Sequence, residues 1–189
     1  PTGPVFISLP GDILNIEAAI DLGQSTRVDA AARPSDASLR RLAERLLRAE
    51  RPVIVAGHEI VASDALEEAA GLAEMLGAPA YQQTVNDGAH FPSEHPAFMG
   101  SLNRNQAYVR DLLSAHDLLI CLGADLLRMS VYSEVDPLPA DLSVVQIGQR
   151  DWEMGKNHPV ELALRGDVRE TVAALLPILA ERRGAEGAA

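Results

Sequence analysis

The sequence contains one cysteine, Cys121, in 189 residues. No intramolecular disulfide can form, so nothing in the chain requires an oxidising compartment, and a cytoplasmic location is the default expectation. Basic residues are also in short supply: 16 Lys and Arg stand against 27 Asp and Glu, giving a formal charge of −11 at pH 7. Nucleic acid and anionic membrane surfaces are polyanions that repel such a chain at long range, and the Lys and Arg residues form no patch. Neither is expected as a partner. No apolar run approaches the ~20 residues that span a bilayer, and no basic start with an apolar core marks a signal peptide. The chain begins at Pro1 without a methionine, as a processed chain or a piece of a larger one would.

What is present is a regular alternation of apolar runs and amphipathic stretches. "PVFISLP" (Pro4 to Pro10) reads as a strand detached from the rest, because the polar, Ala-rich "QSTRVDAAARPSD" follows it. From Ser35, Leu39, Leu42, Leu46 and Leu47 share a helical stripe that breaks before Pro52. "VIVAG" (Val53 to Gly57) is a short run of the buried parallel kind. Ser63 or Asp64 is placed to cap a helix ended by Gly77, and "APAYQQT" is the next strand. Val85 to Leu102 is too rich in Gly and Pro for regular structure and is long for a connection. A helix around Asn103 to Ser114 leads to "DLLICLG" (Asp117 to Gly123), and a second irregular stretch leads to "SVVQIG". A short helix (Asp151 to Lys156), the strand "VELALRG" and a helix from Asp167 complete the pattern, with "RRGAEGAA" as a frayed end. Alternating strands and helices call for a Rossmann-like, doubly wound parallel sheet of about six strands with helices on both faces.

Ligands of such folds bind beyond the carboxyl ends of the strands. After the first core strand, "AGHEIVAS" has one glycine where a phosphate-binding turn needs at least two, and a plain strand-to-helix turn fits better. "LGADL" around Gly123 is no more specific. In "VVQIGQRDWEMGKN" (Val144 to Asn157), Gly148 and Arg150 stand where a ribose-binding strand end supplies an acid, while Asp151 and Glu153 fit a helix start. His90 and His95 share a loop with Asp87 and Glu94, but their spacing matches no zinc or iron pattern, so no metal ligand is assigned. His95 alone is chemically interesting, since an imidazole in a long loop titrates near neutral pH and suits proton transfer; a loop histidine bonded to a carbonyl is the plainer reading. No Gly-x-Ser-x-Gly elbow is present, and Cys121 lies in an apolar run.

The order of these segments resembles the central domain of thiamine-diphosphate-dependent enzymes, the family of acetolactate synthase, pyruvate decarboxylase and benzoylformate decarboxylase. "GPVFISLPGDIL" is similar to the end of that family's pyrimidine-binding domain, "RPVIVAG" to the first central strand, "DLLICLGADL" to a later one, and "EMGKNHPVELALRGD" to the closing signature. The resemblance implies that residues 1–34 are the end of a preceding pyrimidine-binding domain plus linker, 35–183 the central domain and 184–189 a tail. The long loop is similar to that of the benzoylformate decarboxylases through Phe91, Pro92, His95, Pro96, Phe98 and Gly100, in the pattern F-P-x-x-H-P-x-F-x-G. By that resemblance His95 is expected to take part in proton transfer in the parent enzyme, protonating the carbanion that decarboxylation leaves. The parent is expected to use thiamine diphosphate and magnesium, to act on a small 2-oxo acid, and to form a homodimer or homotetramer. The activating glutamate and the Gly-Asp-Gly…Asn motif belong to the family's other two domains. "LPGDIL" and "LRGDVR" have Gly-Asp without the second glycine or the spaced asparagine, so this chain alone is expected to bind no cofactor productively and to catalyse nothing. The alternative is an FAD- or ADP-binding regulatory module, since related central domains hold such nucleotides.

Overall fold

Six parallel strands form one sheet in the order β3-β2-β1-β4-β5-β6, in a computed structural model that describes residues 4–21, 23–26 and 28–187. The strands are β1 (Pro52–Ala56), β2 (Ala80–Gln82), β3 (Phe98–Ser101), β4 (Leu118–Leu122), β5 (Ser143–Gly148) and β6 (Leu162–Arg165). Helices α1 (Asp36–Leu47), α2 (His58–Ala62), α3 (Leu66–Leu76), α4 (Gln106–Leu113) and α5 (Val168–Gly187) lie between and after them. The doubly wound α/β fold expected from the sequence is therefore present.

The two faces of the sheet explain why β1 and β4 are apolar at every position. Ile54, Ala56, Leu118, Ile120 and Leu122 join Leu39, Leu42 and Leu46 of α1, Leu72 of α3 and Val172, Leu175 and Leu179 of α5 in one core. Val53, Val55 and Leu119 face the other way, onto Val109 and Leu113 of α4 and onto Leu127, Leu138 and Leu142 of the irregular stretch after β4. A strand covered on both faces has no polar side to present. Each fully buried Leu or Ile contributes about 1.5–3 kcal/mol, so the core is the main source of stability.

The number of strands was legible in the sequence, but one member differs. Residues 4–10 form no strand, and the sixth strand is β3, inside the segment read as wholly irregular. A strand needs a ladder partner, and β3 finds one in β2, with a register shift between Ala80 and Gln82. Among the described residues of the unit Pro1–Ala30 the regular element is a 3-10 turn at Ile13–Asn15, and Val5, Phe6 and Ile7 are exposed. Ala31–Ala189 is the second unit. Three smaller expectations also change. The cap of α3 is Ala65, with no side-chain bond, because Asp64 takes a left-handed turn at φ 53°. Asp151–Glu153 is a 3-10 turn rather than a helix. Helix α5 continues through the polar end to Gly187; residues 188 and 189 of the expected tail, and residues 1–3 of the expected first segment, lie outside the described residues.

Candidate functional site

Strand order reverses between β1 and β4, so the crevice beyond their carboxyl ends is where this architecture takes ligands. Three glycines singled out in the sequence meet there, and each makes room for the chain itself. At Gly57 an added Cβ would lie 2.2 Å from the Cα of Ala124 and 2.3 Å from the Gly123 carbonyl oxygen, so the turns after β1 and β4 pack backbone on backbone. At Gly123, with φ +58°, it would lie 2.8 Å from the Cβ of Glu59. At Gly148 it would lie 2.7 Å from Glu59 Oε2.

Glu59, on the first turn of α2, is thus the centre of the crevice, and it is 8% exposed. Its Oε2 accepts the Gln149 N–H at 2.6 Å and its Oε1 accepts Arg150 Nε at 3.2 Å. The second arm of the Arg150 guanidinium donates to Asp125 Oδ1, while Asp125 Oδ2 takes Arg128 at 3.3 Å. Burial works against the charge of Arg150, but Asp125 and Glu59 outweigh it and hold its pKa above the usual value. The acid that the sequence lacks at the end of β5 is supplied through space by Glu59, yet both its oxygens are spent on the chain.

Two of the backbone donors at the place where the fold takes a phosphate are spent as well. Anions bind a helix start through its free N–H groups. Here Gly57 N–H donates to Leu122 O at 3.0 Å and Glu59 N–H to Gly123 O at 3.1 Å, and α2 has five residues. Beside the clamp an open groove of about 430 Å³ is lined by Arg128, Arg150, Trp152, Glu153, Lys156 and His158, with Lys156 Nζ 4.2 Å above the Trp152 ring.

Buried amides hold the loops around this crevice. The Gln82 side chain accepts His90 N–H at 2.8 Å and donates to Gly88 O and Ser101 Oγ, both at 3.3 Å. Gln83 donates to Val85 O at 2.6 Å and accepts Asp125 N–H at 3.0 Å. Gln146 accepts Gly155 N–H at 2.8 Å. These residues and Glu59 were missed in the sequence, although a polar residue inside an apolar parallel strand, as in "AYQQ" and "VVQI", is a usable signal. Cys121 is no nucleophile: burial pushes its thiol up to about 12.

His90 and His95 do not converge. His90 is buried at the carboxyl end, with Nε2 2.8 Å from Asp87 Oδ1. His95 precedes the first residue of β3 and therefore lies at the amino end of the sheet. Its Nδ1 accepts Ala97 N–H at 3.2 Å and its Nε2 stands 3.1 Å from Glu74 Oε1 of α3. The ring also meets Phe91 edge-on at 5.5 Å, and Phe91 stacks with Phe98 at 6.2 Å. With Phe98 N–H donating to His95 O at 2.9 Å, the F-P-x-x-H-P-x-F pattern is a turn pinned to α3.

Magnesium finds no fit in this donor set. Among the described residues no group of three or more His, Cys, Asp or Glu is placed to hold a metal ion. Asp167 of "LRGD" caps α5 instead, accepting Glu170 N–H at 3.1 Å and the Gln149 side chain at 2.8 Å. Among the described residues no helix is long and apolar enough to cross a membrane.

The sequence model described as "Thiamine pyrophosphate enzyme, central domain" matches residues 39–175, which run from α1 to α5. The chain belongs to that family. It is 34% identical to benzoylformate decarboxylase of Pseudomonas aeruginosa over 93% of its own length and 34% of that protein. It is 31% identical to sulfoacetaldehyde acetyltransferase of Alcaligenes xylosoxydans xylosoxydans over 95% of its length and 30% of that protein. Among solved structures, the thiamine diphosphate-dependent 4-hydroxybenzoylformate decarboxylase of Rhodococcus jostii RHA1 superposes with a TM-score of 0.75 at 29% identity, covering 82% of this chain and 29% of that one. This central domain spans about a third of the curated relatives it matches.

Proposed function

We propose that this chain is the central domain of a thiamine-diphosphate-dependent 2-oxo acid decarboxylase or carboligase of the benzoylformate decarboxylase kind, where it serves as an architectural spacer and carries out no chemistry by itself. The observation that carries the spacer reading is the crevice: the place where this fold takes ligands is filled by Glu59, Arg150 and Asp125 of the same chain. Similarity to decarboxylases over more than nine-tenths of the chain supports the parent activity. In that parent, thiamine diphosphate and magnesium belong to the neighbouring pyrimidine- and diphosphate-binding domains, and the assembly is a cytoplasmic homodimer or homotetramer.

The proton-transfer role expected for His95 is best replaced by a positioning role. Both ring nitrogens are engaged inside the domain, at the end of the sheet opposite the crevice. In the full-length enzyme, His95→Gln is expected to leave the pH profile of decarboxylation unmoved; loss of one limb of that profile would restore the catalytic role. For the isolated chain, incubation with thiamine diphosphate, magnesium and benzoylformate is expected to release no carbon dioxide, and release would refute the spacer reading.

A second reading, an FAD- or ADP-binding regulatory module, draws on the open groove with Trp152 and Lys156 at its wall. A flat calorimetric titration with both nucleotides discards it.

A further inference from the structure

We infer that Glu59 is a specificity-determining residue, a resident anion whose carboxylate stands in for a ligand phosphate and closes the crevice to nucleotides. The inference rests on the spacer reading and names the group responsible for it.

Shape and charge together single out Glu59. Gly123 and Gly148 leave the volume of two missing Cβ atoms at the switch point, and in both cases the nearest atom to that space belongs to Glu59, at 2.8 and 2.7 Å. The donors at this spot are those an anion wants: one backbone N–H, from Gln149, and one guanidinium, from Arg150. Glu59 satisfies both from inside the fold, with its side chain 11% exposed. A phosphate arriving from solvent would have to displace a covalently tethered carboxylate and would meet Asp125 and Glu59 as like charges. Removal of Glu59 alone reverses this. It leaves the N–H and half of the Arg150 fork without an acceptor, beside a cavity of the right polarity, and a small anion becomes the favoured occupant.

The test uses the 189-residue chain in phosphate-free buffer, with inorganic phosphate and ADP as probes and chloride at equal ionic strength as control. Wild type is expected to show no heat with ADP and no thermal shift with phosphate. Glu59→Ala is expected to bind phosphate, and at ten times its Kd the midpoint rises by about 3–6 °C, as mass action gives for a chain of this size. Glu59→Gln retains an acceptor and the side-chain volume and is expected to remain unresponsive. The double variant Glu59→Ala with Arg150→Ala is expected to lose the response. If Glu59→Ala fails to fold in the absence of phosphate, phosphate is expected to restore its circular dichroism and its melting transition. Saturable ADP binding by wild type overturns the inference, and so does a Glu59→Ala chain that phosphate neither stabilises nor refolds. The spacer reading is tested separately, by the absence of carbon dioxide release when the unaltered chain meets thiamine diphosphate, magnesium and benzoylformate.

Discussion

The two ends of the sheet use similar residue types for different ends. At the carboxyl end, Glu59, Asp125 and Arg150 come from three different strand connections and converge on one closed crevice. At the amino end, Phe91 and His95 of one loop and Phe98, which opens β3, form one short stretch of chain that grips one helix through Glu74. In sequence, the histidine loop looked functional and the carboxyl-end turns looked plain. The direction of the strands sets them apart, because in this fold a ligand crevice forms beyond the carboxyl ends at the switch point, whereas the histidine loop feeds into the start of an edge strand.

Substitutions at each end sharpen that contrast. The largest loss is expected from Phe91→Ala, which empties a fully buried ring site at the amino end: about 4 kcal/mol in chemical denaturation, with no effect on anion response. Glu59→Ala is expected to cost roughly 3 kcal/mol, since it strands the Gln149 N–H and unpairs one arm of Arg150. Unlike the loss at Phe91, this one is to be partly recovered by phosphate. If both variants respond alike to phosphate, the distinction between the two ends fails.

A smaller effect tests the amino end by pH. Asp117 accepts the N–H groups of Glu50 and Arg51, each at 2.8 Å, and so ties the starts of β1 and β4 together. Burial alone would raise its pKa, but these backbone donors and the nearby Arg51 charge win, and the net shift is downward. A carboxyl depressed in the folded state stabilises above its unfolded pKa of about 3.9 and loses that contribution as pH falls through the folded value. Asp117→Ala is therefore expected to be about 1 kcal/mol less stable than wild type at pH 7, the group being partly exposed, with the gap closing on acidification below pH ~4. A gap that persists to low pH would remove the charge from the explanation. The smallest effect belongs to the exposed pair of Arg182 with Glu44, 2.8 Å apart, whose loss in Arg182→Ala is expected to stay within about 0.5 kcal/mol and to shrink with salt.

Most of the fold was legible because β1 and β4 are continuous apolar runs, β5 is one broken only by Gln146, and α1 has a clear stripe, patterns set by burial on two faces or on one. The edges were not. β3 has four residues with alternating exposure and contains Gly100 at φ +96°, so pattern reading passed over it. "PVFISLP" has the right pattern and no ladder partner among the described residues. Helix α2 is too short for any period to show. The site was less legible still. A lone acid after a strand-end glycine reads as an ordinary helix start, and only the packing of Gly123 and Gly148 around Glu59 reveals that it fills the crevice. The F-P-x-x-H-P-x-F pattern was recognised, but its attachment to α3 through Glu74 is a long-range contact that no local pattern carries.

The central claim, that a nucleotide-type fold has been kept with its crevice closed from within, is tested most directly by calorimetric titration of the unaltered chain with ADP. The account predicts heats no larger than those of dilution across the titration. Saturable one-site binding of ADP by the unaltered chain would contradict it.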